Sequence, residues 1–298
     1  MSALVETQGL RRAFGPVKAV DGLSLRVEPG SIYGFLGPNG AGKTTTIRIL
    51  AGLLWPDFGT VRVNGVDPRD FTATDRRDVG YVSERQTLPP EARVDRLIAF
   101  CADLYPGWDP ALAARLLDRF AIEPRTRVKR LSHGAQRKLG VLLALAHRPK
   151  LLLLDEPAAG LDVAARRDLL EELLEVVRDG DRSVFFSSHL LSDVERVADR
   201  VGIIVKGRLT LSEPLDDLKE TVKQVRFFDF PGDAARLEVP DAFRLVRSRD
   251  EALVTLRARG DEVERLAASH GCRYEVHAMN LEDIFVEMTR EPDARRVS

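Results

Sequence analysis

The sequence reads as an α/β protein with a smaller α+β lobe at its C-terminal end, and three observations say so. Short apolar stretches of strand length alternate with helical patterns, as at residues 31–36, 151–154 and 183–188. One of these stretches runs into a glycine-rich loop that opens a helix, the arrangement of parallel-sheet proteins. From about Glu213 the pattern changes to a charged helix and a set of alternating strands.

The first eighty residues carry short strands such as Leu23-Ser24-Leu25-Arg26-Val27 and Val61-Arg62-Val63, the latter ended by an Asn64-Gly65 turn. Between them Gly37-Pro38-Asn39-Gly40-Ala41-Gly42-Lys43-Thr44-Thr45 fits the pattern G-x-x-x-x-G-K-[ST]. Glycines let such a loop wrap so that its N–H groups converge on phosphate oxygens, and the helix N-terminus adds positive potential. Lys43 then reaches the β- and γ-phosphates of a nucleoside triphosphate, and the Thr44 hydroxyl is placed to ligate Mg²⁺.

From about residue 93 to 147 the periodicity turns helical. Val94, Leu97, Ile98 and Cys101 share one helix face, and Leu112, Leu116, Leu117 and Phe120 another. Pro106-Gly107-Trp108-Asp109-Pro110 separates the two. Leu151-Leu152-Leu153-Leu154 follows as a buried strand that delivers Asp155 and Glu156 at its C-terminal end, where open α/β sheets hold ligands. Asp155 suits a Mg²⁺ shell and Glu156 suits polarising an attacking water. A helix at 163–178, a strand at 183–188, a helix at 190–199 and a strand at 201–205 come next, then a Lys206-Gly207 hairpin turn. His189, at a strand's end, is placed to donate a hydrogen bond to the γ-phosphate. Beyond, Leu215-Asp216-Asp217-Leu218 opens a helix, and Val225–Phe228 and residues 253–256 read as strands. Val263, Leu266 and Ala267 share a helix face, Tyr274 alternates with Cys272 and Val276, and Asn280 caps a last helix. Arg295-Arg296 and Ser298 read as a frayed tail.

Leu131-Ser132-His133-Gly134-Ala135-Gln136 makes the reading specific. With the phosphate loop before it and the carboxylate strand after it, the chain resembles the ATP-binding subunits of ABC transporters, whose signature reads Leu-Ser-Gly-Gly-Gln. Ala159-Gly160-Leu161-Asp162 resembles that family's D-loop, and Phe185-Phe186-Ser187-Ser188-His189 its switch histidine. Phe14 stands where the family stacks an aromatic ring on adenine. The resemblance covers about residues 4–212.

It implies a P-loop NTPase core with an antiparallel β subdomain and a helical insert at about 90–148, residues 1–212 forming the ATP-binding domain. Residues 213–298 form an accessory or regulatory lobe, whose ending resembles those of drug, lipid or polysaccharide exporters. It further implies two copies, or two related subunits, sandwiching two MgATP molecules. The phosphate loop of one copy and Ser132 to Gly134 of the other clamp each nucleotide, and Asp162 couples the sites. A separate transmembrane permease is the expected partner, with this chain on the inner face of the cell membrane. Trp108 and Tyr105, in the insert, belong either to local core or to that contact. The alternative is a soluble ATPase or a nucleotide-dependent switch uncoupled from transport, but ribosome-type relatives usually carry two cassettes and a non-hydrolysing module would lack an acid at Glu156.

Two positions depart from the family pattern. His133 and Ala135 replace a glycine and a glutamine of the signature, while Ser132 and Gly134 keep the hydroxyl and the close backbone approach. His133 either adds positive charge when protonated or points into solvent. Gly80-Tyr81-Val82-Ser83-Glu84 ends in glutamate where the family's Q-loop ends in glutamine. Glu84 still ligates Mg²⁺ yet carries a negative charge towards the triphosphate, and Gln86 is the substitute if the register shifts.

Composition sets the outer bounds. The 298 residues are 44% hydrophobic and 31% charged with a formal net charge of −1, so no global field draws nucleic acid. Two cysteines, Cys101 and Cys272, lie far apart without metal-type spacing, which fits free buried thiols in a reducing cytosol. No secretory signal opens the sequence, and the longest apolar runs fall far short of a membrane span.

Overall fold

A computed structural model describes residues 3–85, 87–178, 180–231, 234, 237–239 and 242–289. Gln86 and the Arg295–Ser298 tail therefore lie outside the described residues. The chain divides into two compact units, Met1–Ser212 and Glu213–Ser298.

In the first unit, β1 (Val5–Phe14) and β2 (Val17–Val27) form an antiparallel pair and run into β3 (Ile32–Leu36) and α1 (Lys43–Leu50). β4 (Phe58–Val63), α2 (Ala73–Arg77) and β5 (Val79–Val82) follow. The helices α3 (Val94–Leu104), α4 (Pro110–Arg119) and α5 (His133–Leu145) make up the helical insert. The core then resumes with β6 (Leu151–Asp155), α6 (Val163–Val177), β7 (Ser183–Ser188), α7 (Leu191–Val197), β8 (Arg200–Val205) and β9 (Arg208–Pro214).

Two sheets organise these elements. One is antiparallel, with order β2-β1-β4; the other has order β5-β6-β7-β3-β8-β9. From β5 to β8 the neighbours in the larger sheet run parallel. Strands of a parallel sheet are covered on both faces, which is why β3, β6 and β7 are buried at every position rather than alternating. Leu10, Leu23 and Val63 of the small sheet pack with Phe35, Ile47, Leu153 and Phe185 into one core, fixing the small sheet over α1. All parallel strands end on the same side, so the loops after β3, β5, β6 and β7 gather at one edge.

In the insert, Asp109 caps α4 by accepting from the Leu112 N–H at 2.9 Å, and Pro110 occupies the first turn where no N–H is needed. The Tyr105 ring stacks on His147 with 4.2 Å between centroids, which places it in local packing. Glu172 of α6 is buried and held by Arg115 and Arg119 of α4 at 2.7–2.8 Å, tying insert to core.

The second unit contains α8 (Leu215–Thr221), β10 (Val222–Phe228), β11 (Arg244–Arg247), β12 (Glu251–Arg257), α9 (Glu262–His270), β13 (Arg273–Ala278) and α10 (Leu281–Thr289). Its sheet has the order β11-β12-β10-β13, with antiparallel pairs throughout. Val225, Phe227, Val254, Val263 and Ala267 form its core. Asn280 accepts from the Asp283 N–H at 2.8 Å and so caps α10. β11 has no counterpart in the pattern read from the sequence.

The alternation of Cys272, Tyr274 and Val276 suggests a half-buried strand, yet all six residues of β13 are exposed. Among the described residues β13 is an edge strand paired only with β10, and Tyr274 and Val276 lie about two-fifths exposed. The thiols of Cys101 and Cys272 are half-buried rather than fully enclosed, and burial raises the pKa of both.

Candidate functional site

The phosphate loop links β3 to α1. Gly42, the residue before the helix, has φ 109°, and a Cβ there would collide with the Ala19 carbonyl, so only glycine fits. With no side-chain cap at Gly42, the first-turn N–H groups of α1 keep their hydrogen-bonding capacity for an anion. The loop lines a cavity of about 540 Å³ together with Ala19, Glu84, Glu156, Ala159 and His189. Pro38 to Thr45 all contribute to its wall, while Gly37 stands behind it and its carbonyl receives Lys43.

Lys43 is buried, and its ammonium donates to the Gly37 carbonyl at 2.6 Å and the Pro38 carbonyl at 3.4 Å. Glu156 Oε1 lies 3.6 Å away. The other oxygen of Glu156 accepts from the His189 ring at 2.6 Å and from the His189 backbone N–H at 3.2 Å. That ring contact requires the proton on Nδ1. The chain thus joins the phosphate-loop lysine, the strand-end glutamate and the histidine after β7 into one row. Glu156 achieves its position with φ 51°, a left-handed backbone uncommon for a side chain of this size.

Beneath this row the Ser187 hydroxyl donates to Asp155 Oδ1 at 2.8 Å and accepts from the Glu156 N–H at 3.0 Å. Asp155 Oδ2 is buried and makes no hydrogen bond. Burial raises the Asp155 carboxyl above its ordinary value, an effect the Thr44 and Ser187 hydroxyls partly offset and the Glu84 and Glu156 charges reinforce. An unpartnered buried carboxylate oxygen on a carboxyl that interacts with the Thr44 hydroxyl is chemistry that fits a hard divalent cation. Among the described residues no group of three or more His, Cys, Asp or Glu gathers to hold a metal alone.

Other candidate residues stand apart. Ser132 and Asp162 are exposed N-caps of α5 and α6, accepting from the Ala135 N–H at 3.2 Å and the Ala165 N–H at 2.8 Å. Neither they nor Gly134 line the cavity. Phe14 also lies outside its lining, about half exposed, with the Arg12 guanidinium 4.9 Å from the ring centre. His133 is exposed and borders a smaller hollow with Glu84 and Arg137. Ser187 and Arg137 are the residues the motifs did not single out. Ser187 sits inside the quoted strand pattern, but its role as bridge between Asp155 and Glu156 needs the sheet register to be seen.

Among the described residues no helix is long and apolar enough to cross a membrane. The family model described as "ABC transporter" matches residues 20–159. The daunorubicin/doxorubicin resistance ATP-binding protein DrrA of Streptomyces peucetius is 32% identical, over 97% of this chain and 93% of its own length. The Nod factor export ATP-binding protein I of Paraburkholderia xenovorans (strain LB400) is 32% identical over 96% and 97%. A solved structure titled as the ATP binding subunit of an ABC transporter superposes with a TM-score of 0.66 at 30% identity, covering 72% of this chain and 92% of that one. Both sheets, the helical insert and the phosphate loop thus have a common origin: the chain belongs to the ABC transporter family, as one of its ATP-binding, ATP-hydrolysing subunits.

Proposed function

We propose that this chain powers export through a separate membrane permease, by closing with a second cassette over two MgATP molecules. The observation that carries the reading is the split of the site. Lys43, Glu156 and His189 share one cavity, whereas exposed Ser132 and Asp162 and half-buried Gly134 lie outside it on the same chain. A second copy or a related subunit would bring those groups over the nucleotide. Export is the task named for the Nod factor protein and fits the resistance named for DrrA, and an ATPase serving such a permease would work on the inner face of the cell membrane.

Within that scheme Phe14 stacks on adenine, and the loop amides of 37–45 with Lys43 hold the phosphates. Lys43 leaves the Gly37 carbonyl for phosphate oxygens, an exchange of one strong acceptor for a more highly charged one. Thr44 and Asp155, with Glu84 at the cavity wall, hold Mg²⁺, which when bound neutralises charge on the β- and γ-phosphates. Glu156 orients the attacking water, and His189, whose Nδ1–H holds that carboxylate in the nucleotide-free chain, turns that N–H towards the γ-phosphate once ATP is bound. Ser132 already accepts its cap hydrogen bond, so its O–H proton is free to be donated across the interface. ATP favours the closed pair because both half-sites contact it there, and hydrolysis removes that preference. The Glu213–Ser298 unit is read as an accessory, regulatory lobe.

Glu156→Gln tests this directly. Steady-state hydrolysis should fall on the order of hundredfold while MgATP binding persists and paired cassettes accumulate. Turnover at the wild-type rate, or a protein that hydrolyses ATP at full speed while strictly monomeric, would end the proposal.

A further inference from the structure

Arg137 lies on the second turn of α5, the helix that begins beside Ser132. Its Nη1 donates to the carbonyl oxygen of Glu156, and its Nη2 donates to the carbonyl oxygen of Glu84 at 2.7 Å. Those two carbonyls belong to different connections, one after β5 and one after β6. Both glutamates line the phosphate-loop cavity, and Arg137 borders a hollow of about 290 Å³ with Glu84, His133 and Gln136. A guanidinium is a rigid planar fork, which lets one side chain fix two acceptors in a set relation. An ammonium offers a single point of charge and cannot hold both in that way. The Glu156 peptide also needs holding, because a left-handed backbone at a glutamate relaxes when its surroundings allow.

We infer that Arg137 is a positioning residue for hydrolysis, its forked guanidinium pinning the Glu84 and Glu156 carbonyls and thereby setting where both carboxylates point. The inference rests on the hydrolytic reading of Glu156 given above. Arg137 is not itself among the residues that line the cavity, so it acts through the two peptides it grips. It also makes α5 the common carrier of two tasks. The helix start faces outward, and one turn later the same helix holds this chain's own Glu156.

The test uses the full-length chain and compares Arg137→Ala, Arg137→Lys and Glu156→Gln. Arg137→Ala should lower kcat on the order of ten- to hundredfold, the scale of a misplaced reacting group, with a much smaller loss of MgATP affinity because the phosphate loop, Thr44 and Asp155 are untouched. Added guanidinium ion should restore part of that turnover through the adjoining hollow, whereas methylammonium should not. Arg137→Lys should stay impaired. Wild-type kcat in either variant, equal rescue by methylammonium, or a matching loss of MgATP affinity would each overturn the inference. If Arg137→Ala does not fold, Arg137→Lys decides alone, since full turnover with a single-point donor contradicts the fork. Wild-type turnover in Glu156→Gln would sink the hydrolytic reading itself. An inactive Glu156→Gln beside an active Arg137→Ala would sink only the role given to Arg137.

Discussion

The N-terminus of α1 and the N-termini of α5 and α6 are the same physical device used in opposite ways. At α1 the preceding residue is a glycine, no side chain claims the first-turn amides, and the surrounding loop curls around an open cavity. At α5 and α6 the preceding residues are Ser132 and Asp162, each accepting one of those amides, and both stand exposed. An uncapped helix start enclosed by its own loop is built to receive an anion from within the chain. A capped start on the surface is stable alone and presents its remaining donors to whatever approaches.

Ser132→Asp should give the largest effect that sharpens this contrast. Aspartate keeps the cap of α5, so melting should be unchanged, yet its charge would meet a phosphate across the interface. Hydrolysis should fall on the order of hundredfold while the lone chain binds MgATP normally, measured by equilibrium titration beside a turnover assay. Equal loss of binding in the monomer would break the comparison. Lys43→Ala comes next and should weaken MgATP binding about ten- to hundredfold in the lone chain, the scale of a charge-assisted hydrogen bond. Normal affinity in that variant would remove the phosphate-loop assignment.

Asp162→Ala should cost about 1 kcal/mol of stability through the lost cap, whereas Asp162→Asn should not, as thermal melting can show. The smallest effect concerns Asp155. Burial raises its folded-state pKa above the ordinary 3.8. The protonated carboxyl is therefore the form the fold prefers, and that contribution is complete below 3.8 and lost as pH rises through the folded value. At neutral pH its charge costs the nucleotide-free protein stability. Asp155→Asn should then melt about 2 °C higher at neutral pH, with the gap closing on acidification and no added stabilisation by MgATP. A lower melting temperature at neutral pH would show that the carboxylate is better solvated than its burial implies.

Much of the ATP-binding unit is legible in the sequence because its signals are local. A buried parallel strand announces itself as an apolar run, and the loop at 37–45 specifies its own wrapping through Gly40 and Gly42. The row of Lys43, Glu156 and His189 is legible only as separate ends of strands; their 2.6–3.6 Å spacing follows from the order β6-β7-β3, which no local pattern contains. Arg137 was hidden for a related reason. It grips two carbonyls, and backbone acceptors leave no mark on composition or spacing. In the second unit the alternation around Tyr274 gave the strand but not its exposure, since period two says which residues share a face and not whether that face is covered. β11 is four residues long and edge-placed, too short for a periodic signal.

The left-handed backbone at Glu156 puts endurance and usefulness in conflict at one codon. Glycine would relieve about 1 kcal/mol of torsional penalty there. A laboratory lineage selected for heat resistance alone would feel a pull towards shedding this carboxylate, while one selected for work done would retain it.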